Sequence, residues 1–349
     1  MTKIMIYGAN GYTGRLVTEY AVRQGLKPIL AGRNPQVICD LALEHKLESR
    51  IFGLKDINQV VANLADIDVI IHCAGPFWKT TPQILKACCQ TQTNYVDITG
   101  ELEVFQHVFA KTDELRAAGI TAIPGAGFDV VPSDFLAKEL KEALPDATEL
   151  SLVVNSSAFS ASSGTANTVV DHLAKGGVRR SNGKVVKAAV DCHREFEFDG
   201  EKHTALMVPL GDVETAYHTT GVPNIAVYLT CPKSSIVLAK LHRFSRALWR
   251  LPIARYPVKK SLKHILKPQT REQRSNKTMT IFGVAENAKG ETVKRSISTP
   301  EGYNFTAVSA VNIALEVSKK KATSGAFTPA RFLEDNFLTN LLHNEDFNL

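Results

Sequence analysis

Apolar residues fall in short bursts separated by helix-length stretches through the first third of the chain. Ile4–Tyr7 leads into a glycine-rich turn and a helix over Arg15–Gln24. Pro28–Ala31, Arg50–Gly53, Asp68–Cys73, Asn94–Ile98 and Thr121–Pro124 read as further strands, with helices over Pro35–His45, Ile57–Leu64, Thr81–Gln90 and Glu101–Ala118 between them. Asp68–Cys73 is almost wholly apolar, as a strand covered on both faces should be. Such alternation predicts a parallel sheet with right-handed crossovers and helices on both faces.

After Pro132 the rhythm changes. A helix over Ser133–Leu144 is followed by strand-like runs at Glu149–Val154, Val185–Phe198, Thr204–Val208, Glu214–His218 and Asn224–Thr230. Met279–Ala285 and Thr292–Ser298 flank Lys289-Gly290, a hairpin turn. These runs predict a second α+β domain on a mixed sheet, and a helix over Phe305–Lys319 closes the pattern. The expected division is 1–132, 133–304 and 305–349, in keeping with a chain of 349 residues.

The first strand ends in Gly8-Ala9-Asn10-Gly11-Tyr12-Thr13-Gly14. In this setting Gly8 permits the tight turn, Gly11 lets backbone approach a pyrophosphate, and Gly14 lets the next helix pack closely. The helix N-terminus adds free N–H groups and a positive dipole end. Standing after a strand and before a helix, the triplet predicts a doubly wound Rossmann domain that binds a dinucleotide. The second strand ends Gly32-Arg33-Asn34, with no acid to bond a ribose 2′-hydroxyl. A guanidinium there can clamp a 2′-phosphate, so the cofactor expected is NADP(H). The fourth strand ends Cys73-Ala74-Gly75-Pro76, whose small residues leave room for a bound cofactor. Cys73 is expected to pack rather than react, having nothing nearby in sequence to lower its pKa.

Hydrophobic residues make up 44% and charged residues 22%, so a sizeable core is expected and disorder is not. The short start before Ile4 does not read as a signal peptide, and no apolar run reaches membrane-spanning length. A cytoplasmic location is therefore expected. Cys39, Cys73, Cys88, Cys89, Cys192 and Cys231 show no Cys-x-x-Cys pair, which predicts reduced thiols and no metal site. The net charge of +6 is local: 233–271 holds eleven Lys or Arg and no acid, leaving the rest near −5. Within it Val237, Leu241, Phe244, Leu248 and Leu251 recur at helical spacing opposite Lys240, Arg243, Arg246 and Arg250. Such a helix can rest peripherally on an anionic membrane, dock an acidic carrier protein, or pack on its own domain. Nucleic acid is excluded as a partner, since no stacking aromatics are interleaved with the charges. A homodimer stays open.

On these residues the chain resembles the saccharopine dehydrogenase-like oxidoreductases, in particular the branch that includes trans-acting enoyl reductases. The resemblance rests on Gly8–Gly14 with Arg33, on Cys73–Phe77, and on Tyr95-Val96-Asp97-Ile98-Thr99-Gly100-Glu101. It continues through Pro124–Asp129, Val131–Asp134 and Thr328-Pro329-Ala330, and is strongest over the first 135 residues. It implies that the second domain is inserted and that the C-terminal segment returns to the first. One departure stands out: Trp78-Lys79-Thr80-Thr81 follows Gly-Pro-Phe where the family usually has a glycine.

Hydride transfer needs a proton donor near the nicotinamide, and Asp97, Glu101 and Asp129 fall near the ends of strands five and six. Each also has a plainer reading: Glu101 at a helix N-terminus, Asp129 in a turn. Tyr256 and Lys260 share the spacing of a short-chain dehydrogenase pair but lie outside the Rossmann pattern, which rules them out. Ser162–Thr168 reads equally as a pocket lining or a capped helix start. The function expected is hydride transfer from NADPH to an activated double bond of a lipid or polyketide-type acyl substrate. Two alternatives remain: reaction at the C–N bond of an amino-acid adduct, or NADPH binding without catalysis in a membrane or partner adaptor.

Overall fold

The computed structural model describes residues 2–155, 176–189, 191–198, 200–236, 240, 271–275, 277–320 and 323–349. Two compact units divide it, one comprising Met1–Val131 with Gly302–Leu349 and the other Pro132–Glu301.

The first unit is built on β1 (Ile4–Tyr7), β2 (Ile29–Gly32), β3 (Ser49–Ile51), β4 (Val69–His72), β5 (Asn94–Asp97) and β6 (Thr121–Ile123). A two-residue strand, Gly325–Ala326, completes a seven-stranded parallel sheet in the order Gly325–Ala326, β6, β5, β4, β1, β2, β3. The chain thus reverses direction across the sheet between β1 and β4, the switch point where open α/β sheets bind ligands. Residues of β1, β2 and β4 are buried throughout. Burial on both faces explains why they read as continuous apolar bursts.

Helices α1 (Tyr12–Arg23), α2 (Pro35–His45), α3 (Ile57–Leu64), α4 (Phe77–Thr91), α5 (Leu102–Ala110) and α6 (Thr112–Ala117) join these strands. Asn34 and Asp56 cap α2 and α3, each side chain accepting a first-turn N–H, and Pro35 takes the position where a missing N–H costs nothing. The single helix expected over Glu101–Ala118 is two. Lys111 leaves helical geometry between them, and the Thr112 hydroxyl donates to the Phe109 carbonyl at 2.6 Å, satisfying a group the break exposes. The helix Gly302–Lys319 belongs to this unit: Ser309 donates to the Ala126 carbonyl at 2.6 Å, and Asn312 to the Tyr20 hydroxyl at 2.9 Å.

The second unit begins at Pro132, within α7 (Val131–Ala143), and continues into β7 (Ala147–Val154). Its other strands are β8 (Gly177–Ser181), β9 (Lys184–Ala188), β10 (His193–Phe198), β11 (Glu201–Met207), β12 (Asn224–Thr230), β13 (Thr278–Asn287) and β14 (Thr292–Pro300). They form one mixed sheet in the order β10-β11-β12-β7-β13-β14, with the β8–β9 hairpin joined to β12. Among the described strands of this sheet only β12 and β7 run parallel. The β13–β14 hairpin turns at Gly290, with φ +81°, while the Asn287 side chain accepts from the N–H groups of Lys289 and Glu291 at 3.0 Å.

Two sequence expectations are corrected here. The run Val185–Phe198 is not one strand but the end of β9 followed by β10. Glu214–His218 is not a strand: it lies in α8 (Asp212–Thr220), where Asp212 and Glu214 favour the N-terminus and Gly221 closes the helix with φ +70°. The helix is pinned by Arg180, whose guanidinium donates to Glu214 at 2.6 Å, to the Val213 carbonyl at 3.1 Å and to the Gly183 carbonyl at 2.6 Å. Most of the basic segment 233–271, all of Ser162–Thr168, and the Tyr256 and Lys260 pair lie outside the described residues.

Candidate functional site

The phosphate turn has the backbone its glycines require. Gly8 adopts φ +86°, and a Cβ there would stand 2.8 Å from the backbone nitrogen of Ala74. Its N–H donates to the Ala31 carbonyl at 2.7 Å, and Gly11 donates back to Gly8 at 3.0 Å. A Cβ on Gly14 would overlap the Gly8 carbonyl oxygen and stand 2.9 Å from the Ala9 Cα, so only glycine lets α1 seat on β1. No side chain caps α1 and no acid lies in its first turn. The turn therefore offers N–H groups and a positive dipole end, the donor set a pyrophosphate takes.

Around this turn the other cofactor candidates gather. Cys73 donates its N–H to the Tyr7 carbonyl at 2.8 Å, which sets Cys73-Ala74-Gly75-Pro76 beside Gly8 across the switch point. Burial pushes the Cys73 thiol up, so it stays protonated and unreactive. Asn10 lies over Gly32, its side-chain oxygen 3.3 Å from where a Gly32 Cβ would be. Arg33 follows at the end of β2, exposed and without a hydrogen bond or ion pair to any described residue. Its charge acts on the nearby Tyr7 hydroxyl, which burial holds up at about 12. Tyr12 and Tyr303 stand edge to face, ring centroids 4.9 Å apart, at the start of α1. A dinucleotide with a 2′-phosphate fits this arrangement: glycine backbone, an uncapped helix start and a free guanidinium.

The three acids meet at the ends of β5 and β6, but in different conditions. Asp97 is fully buried, accepting from the Tyr95 hydroxyl at 2.6 Å and from the N–H groups of Thr99 and Gly125 at 3.0 and 2.9 Å. Burial raises its carboxyl to about 6 against those three bonds. Glu101 accepts from the N–H groups of Phe77 and Trp78, at 3.0 and 2.8 Å. It thereby caps α4 from 23 residues away. Asp129 rests against Gly100, where a Cβ would stand 2.9 Å from its carboxylate oxygen. Its side chain is open to solvent, while desolvation by its neighbours raises its carboxyl to about 6, so it can take up and release a proton near neutral pH. Among the described residues it makes no hydrogen bond, so it is the acid of the three that remains available.

Sequence reasoning passed over His72, Tyr95 and Thr81. The Tyr95 hydroxyl lies 3.0 Å from His72 Nδ1 and 3.0 Å from Thr81 Oγ1, while His72 Nε2 lies 3.1 Å from the Ala74 carbonyl oxygen. The readable signal was polar residues at alternate places in buried strands, which must find partners inside. Among the described residues no group of three or more His, Cys, Asp or Glu is placed to hold a metal, and no helix is long and apolar enough to cross a membrane.

Residues 4–123, which lie within the first unit, match the family described as Saccharopine dehydrogenase NADP binding domain. That description agrees with the NADP(H) expected from Arg33. A human protein named saccharopine dehydrogenase-like oxidoreductase is 27% identical over 151 residues, 38% of this chain and 35% of that protein. A Mycobacterium tuberculosis protein named as a trans-acting enoyl reductase is 28% identical over 184 residues, 49% of this chain and 44% of that one. These matches span less than half the length of the relatives. Apo saccharopine dehydrogenase (L-Glu forming) from Saccharomyces cerevisiae superposes with TM-score 0.62 at 13% identity, covering 94% of each chain. At that identity the likeness is one of fold.

Proposed function

We propose that this protein is an NADPH-dependent oxidoreductase that reduces an activated double bond of a lipid or polyketide-type acyl substrate. The observation that carries the cofactor half is the pairing of an uncapped glycine turn with the free guanidinium of Arg33. Gly8, Gly11 and Gly14 give the pyrophosphate backbone contact and the start of α1 gives it charge complementarity. Arg33 clamps the 2′-phosphate, and the Cys73–Pro76 loop bounds the site on its other side. When bound, the reduced nicotinamide supplies the hydride. Asp97 and Glu101 are spoken for by internal bonds, so Asp129, exposed at the end of β6, is the acid left to hold or deliver a proton.

The acyl half rests on two observations. The likeness to a protein named as an enoyl reductase covers half of the chain. The cationic, apolar segment 233–271 suits an acidic acyl-carrier partner or an anionic lipid surface better than a small soluble amino acid.

Calorimetric titration with NADPH and with NADH, repeated on Arg33→Ala, tests the cofactor reading. A charge-assisted contact to the 2′-phosphate is worth about 1.5–3 kcal/mol, or roughly 10- to 100-fold in affinity. The native protein is expected to prefer NADPH by that factor and Arg33→Ala to lose the preference. Equal affinity for both cofactors in the native protein would remove Arg33 from this role. Consumption of NADPH with acyl-thioester enoates, set against saccharopine-type adducts, decides the substrate class.

A further inference from the structure

Hydrogen counting in the buried cluster beneath the cofactor loop leads to a proton. The Tyr95 hydroxyl has one hydrogen and three neighbours: Asp97 Oδ2 at 2.6 Å, His72 Nδ1 at 3.0 Å and Thr81 Oγ1 at 3.0 Å. His72 has two ring nitrogens facing oxygen, Tyr95 on one side and the Ala74 carbonyl on the other. The carbonyl can only accept, so the imidazole needs a hydrogen on Nε2. With Asp97 ionised and His72 neutral, the Tyr95 hydrogen goes to the carboxylate and the imidazole has one hydrogen for two contacts. One of them then sets acceptor against acceptor. A single added proton repairs this. Carried on Asp97, it donates to Tyr95, which donates to His72 Nδ1, whose Nε2–H holds Ala74. Carried on His72, it donates to Tyr95, which donates to Asp97. Thr81 donates to Tyr95 in both arrangements.

We propose that His72, Tyr95 and Asp97 form a positioning unit that binds one proton, shared between Asp97 and His72 through the Tyr95 hydroxyl, and that this proton fixes the Cys73–Pro76 loop against the phosphate turn. His72, Thr81, Tyr95 and Asp97 are all at most 1% exposed, so water does not substitute for the missing bond. The mechanical link is short: His72 Nε2 and the Thr80 hydroxyl both hold the Ala74 carbonyl, and Ala74 is the residue packed on Gly8.

The surrounding groups leave the proton to this pair. Cys73 from the loop after β4 and Cys88 from α4 face Asp97 and Tyr95, and burial raises both thiols so that they stay neutral. Tyr7 from β1 lies 6.1 Å from the His72 ring, centroid to centroid, and is held up at about 12. Glu101 faces Asp97 from the loop after β5 and raises it further; among the described residues no Lys or Arg acts on Asp97. Asp97 is thus pushed up to about 6 while His72 is pushed down to about 3, which places uptake of the one proton near pH 6.

The test uses the full chain labelled with ¹⁵N-histidine, with the His72 ring resonances assigned by their loss in His72→Gln. Between pH 5 and 8, without cofactor, the ring nitrogens are expected to pass through a one-proton transition. Asp97→Asn supplies the missing hydrogen from its amide, so its His72 ring should hold the low-pH form across the range. Tyr95→Phe cuts the bridge and should remove the transition. A flat native ring, or Asp97→Asn or Tyr95→Phe titrating as the native protein does, overturns the proposal. If the asparagine variant fails to fold, Tyr95→Phe decides alone. The coupling to dinucleotide rests on the cofactor reading above: NADPH affinity should weaken about fivefold above the transition, the size of one neutral hydrogen bond, and stay constant in Asp97→Asn. An NADPH affinity that is flat with pH in the native protein removes the loop coupling. Absence of NADPH binding at every pH sinks the cofactor reading, while the ring titration still decides the proton site.

Discussion

Glu101 separates two physical roles that predict opposite outcomes. Its carboxylate accepts from two first-turn N–H groups of α4, those of Phe77 and Trp78. It does not cap α5, which it immediately precedes, so Glu101→Ala leaves that helix's own start unchanged. Loss of an N-cap acceptor costs about 0.5–2 kcal/mol, and loss of a negative charge at a helix N-terminus about 0.3–1 kcal/mol more. Glu101 is half-buried, so water recovers part of this, and about 2 kcal/mol remains for opening the first turn of α4. Native-state hydrogen exchange reads that opening directly: the Phe77 and Trp78 amides should exchange about thirtyfold faster in Glu101→Ala. Glu101→Gln keeps an acceptor but no charge and should fall between the two. A catalytic acid would behave otherwise, losing about 10²- to 10⁴-fold in turnover with exchange unchanged. Exchange within twofold of the native protein in Glu101→Ala would refute the capping argument.

Gly14→Ala places a methyl group inside the Gly8 carbonyl and should force α1 away from β1. About 1–3 kcal/mol of stability is expected to go, together with at least tenfold in NADPH affinity; an urea midpoint and a calorimetric titration check both. In the second unit, Arg180→Met removes a guanidinium that is 5% exposed and leaves Glu214 buried with His218 Nε2, at 3.3 Å, as a remaining neighbour. A loss of about 3–5 kcal/mol is expected on urea unfolding, restored in part in Arg180→Met with Glu214→Leu, because removing one partner of a buried ion pair costs more than the pair contributes, while the Val213 and Gly183 carbonyls still lose their donor. A double variant no more stable than Arg180→Met would contradict that account.

What the sequence made legible follows from range. The parallel sheet shows in the bursts Ile4–Tyr7 and Val69–His72, since burial on both faces writes itself into consecutive residues. The phosphate turn shows because its constraints lie within seven residues and one of them, the packing of Gly14 on Gly8, admits no other side chain. Glu214–His218 misled because a nine-residue helix with Val213, Thr215 and Thr219 carries β-branched residues that favour strands, and tertiary anchoring by Arg180 outweighs them.

The acids at the ends of β5 and β6 could not be told apart from sequence for the same reason. Asp97, Glu101 and Asp129 share a location, and each is assigned by surroundings its place in the sequence does not show: the Tyr95 hydroxyl with the Gly125 N–H, the start of α4, and solvent. Position at a strand end names candidates; only the partners decide which candidate keeps a free charge. One signal did lie in the sequence. In a parallel sheet covered on both faces, Tyr95 and Asp97 on β5 and His72 on the adjoining β4 are polar where apolar residues are expected, and β4 and β5 pair His72 with Asp97. Buried polar groups must bond, and three of them on neighbouring strands have one another within reach. A strand that breaks its own apolar pattern at its carboxyl end, beside a switch point, therefore marks a network that supports the site rather than a residue that acts in it.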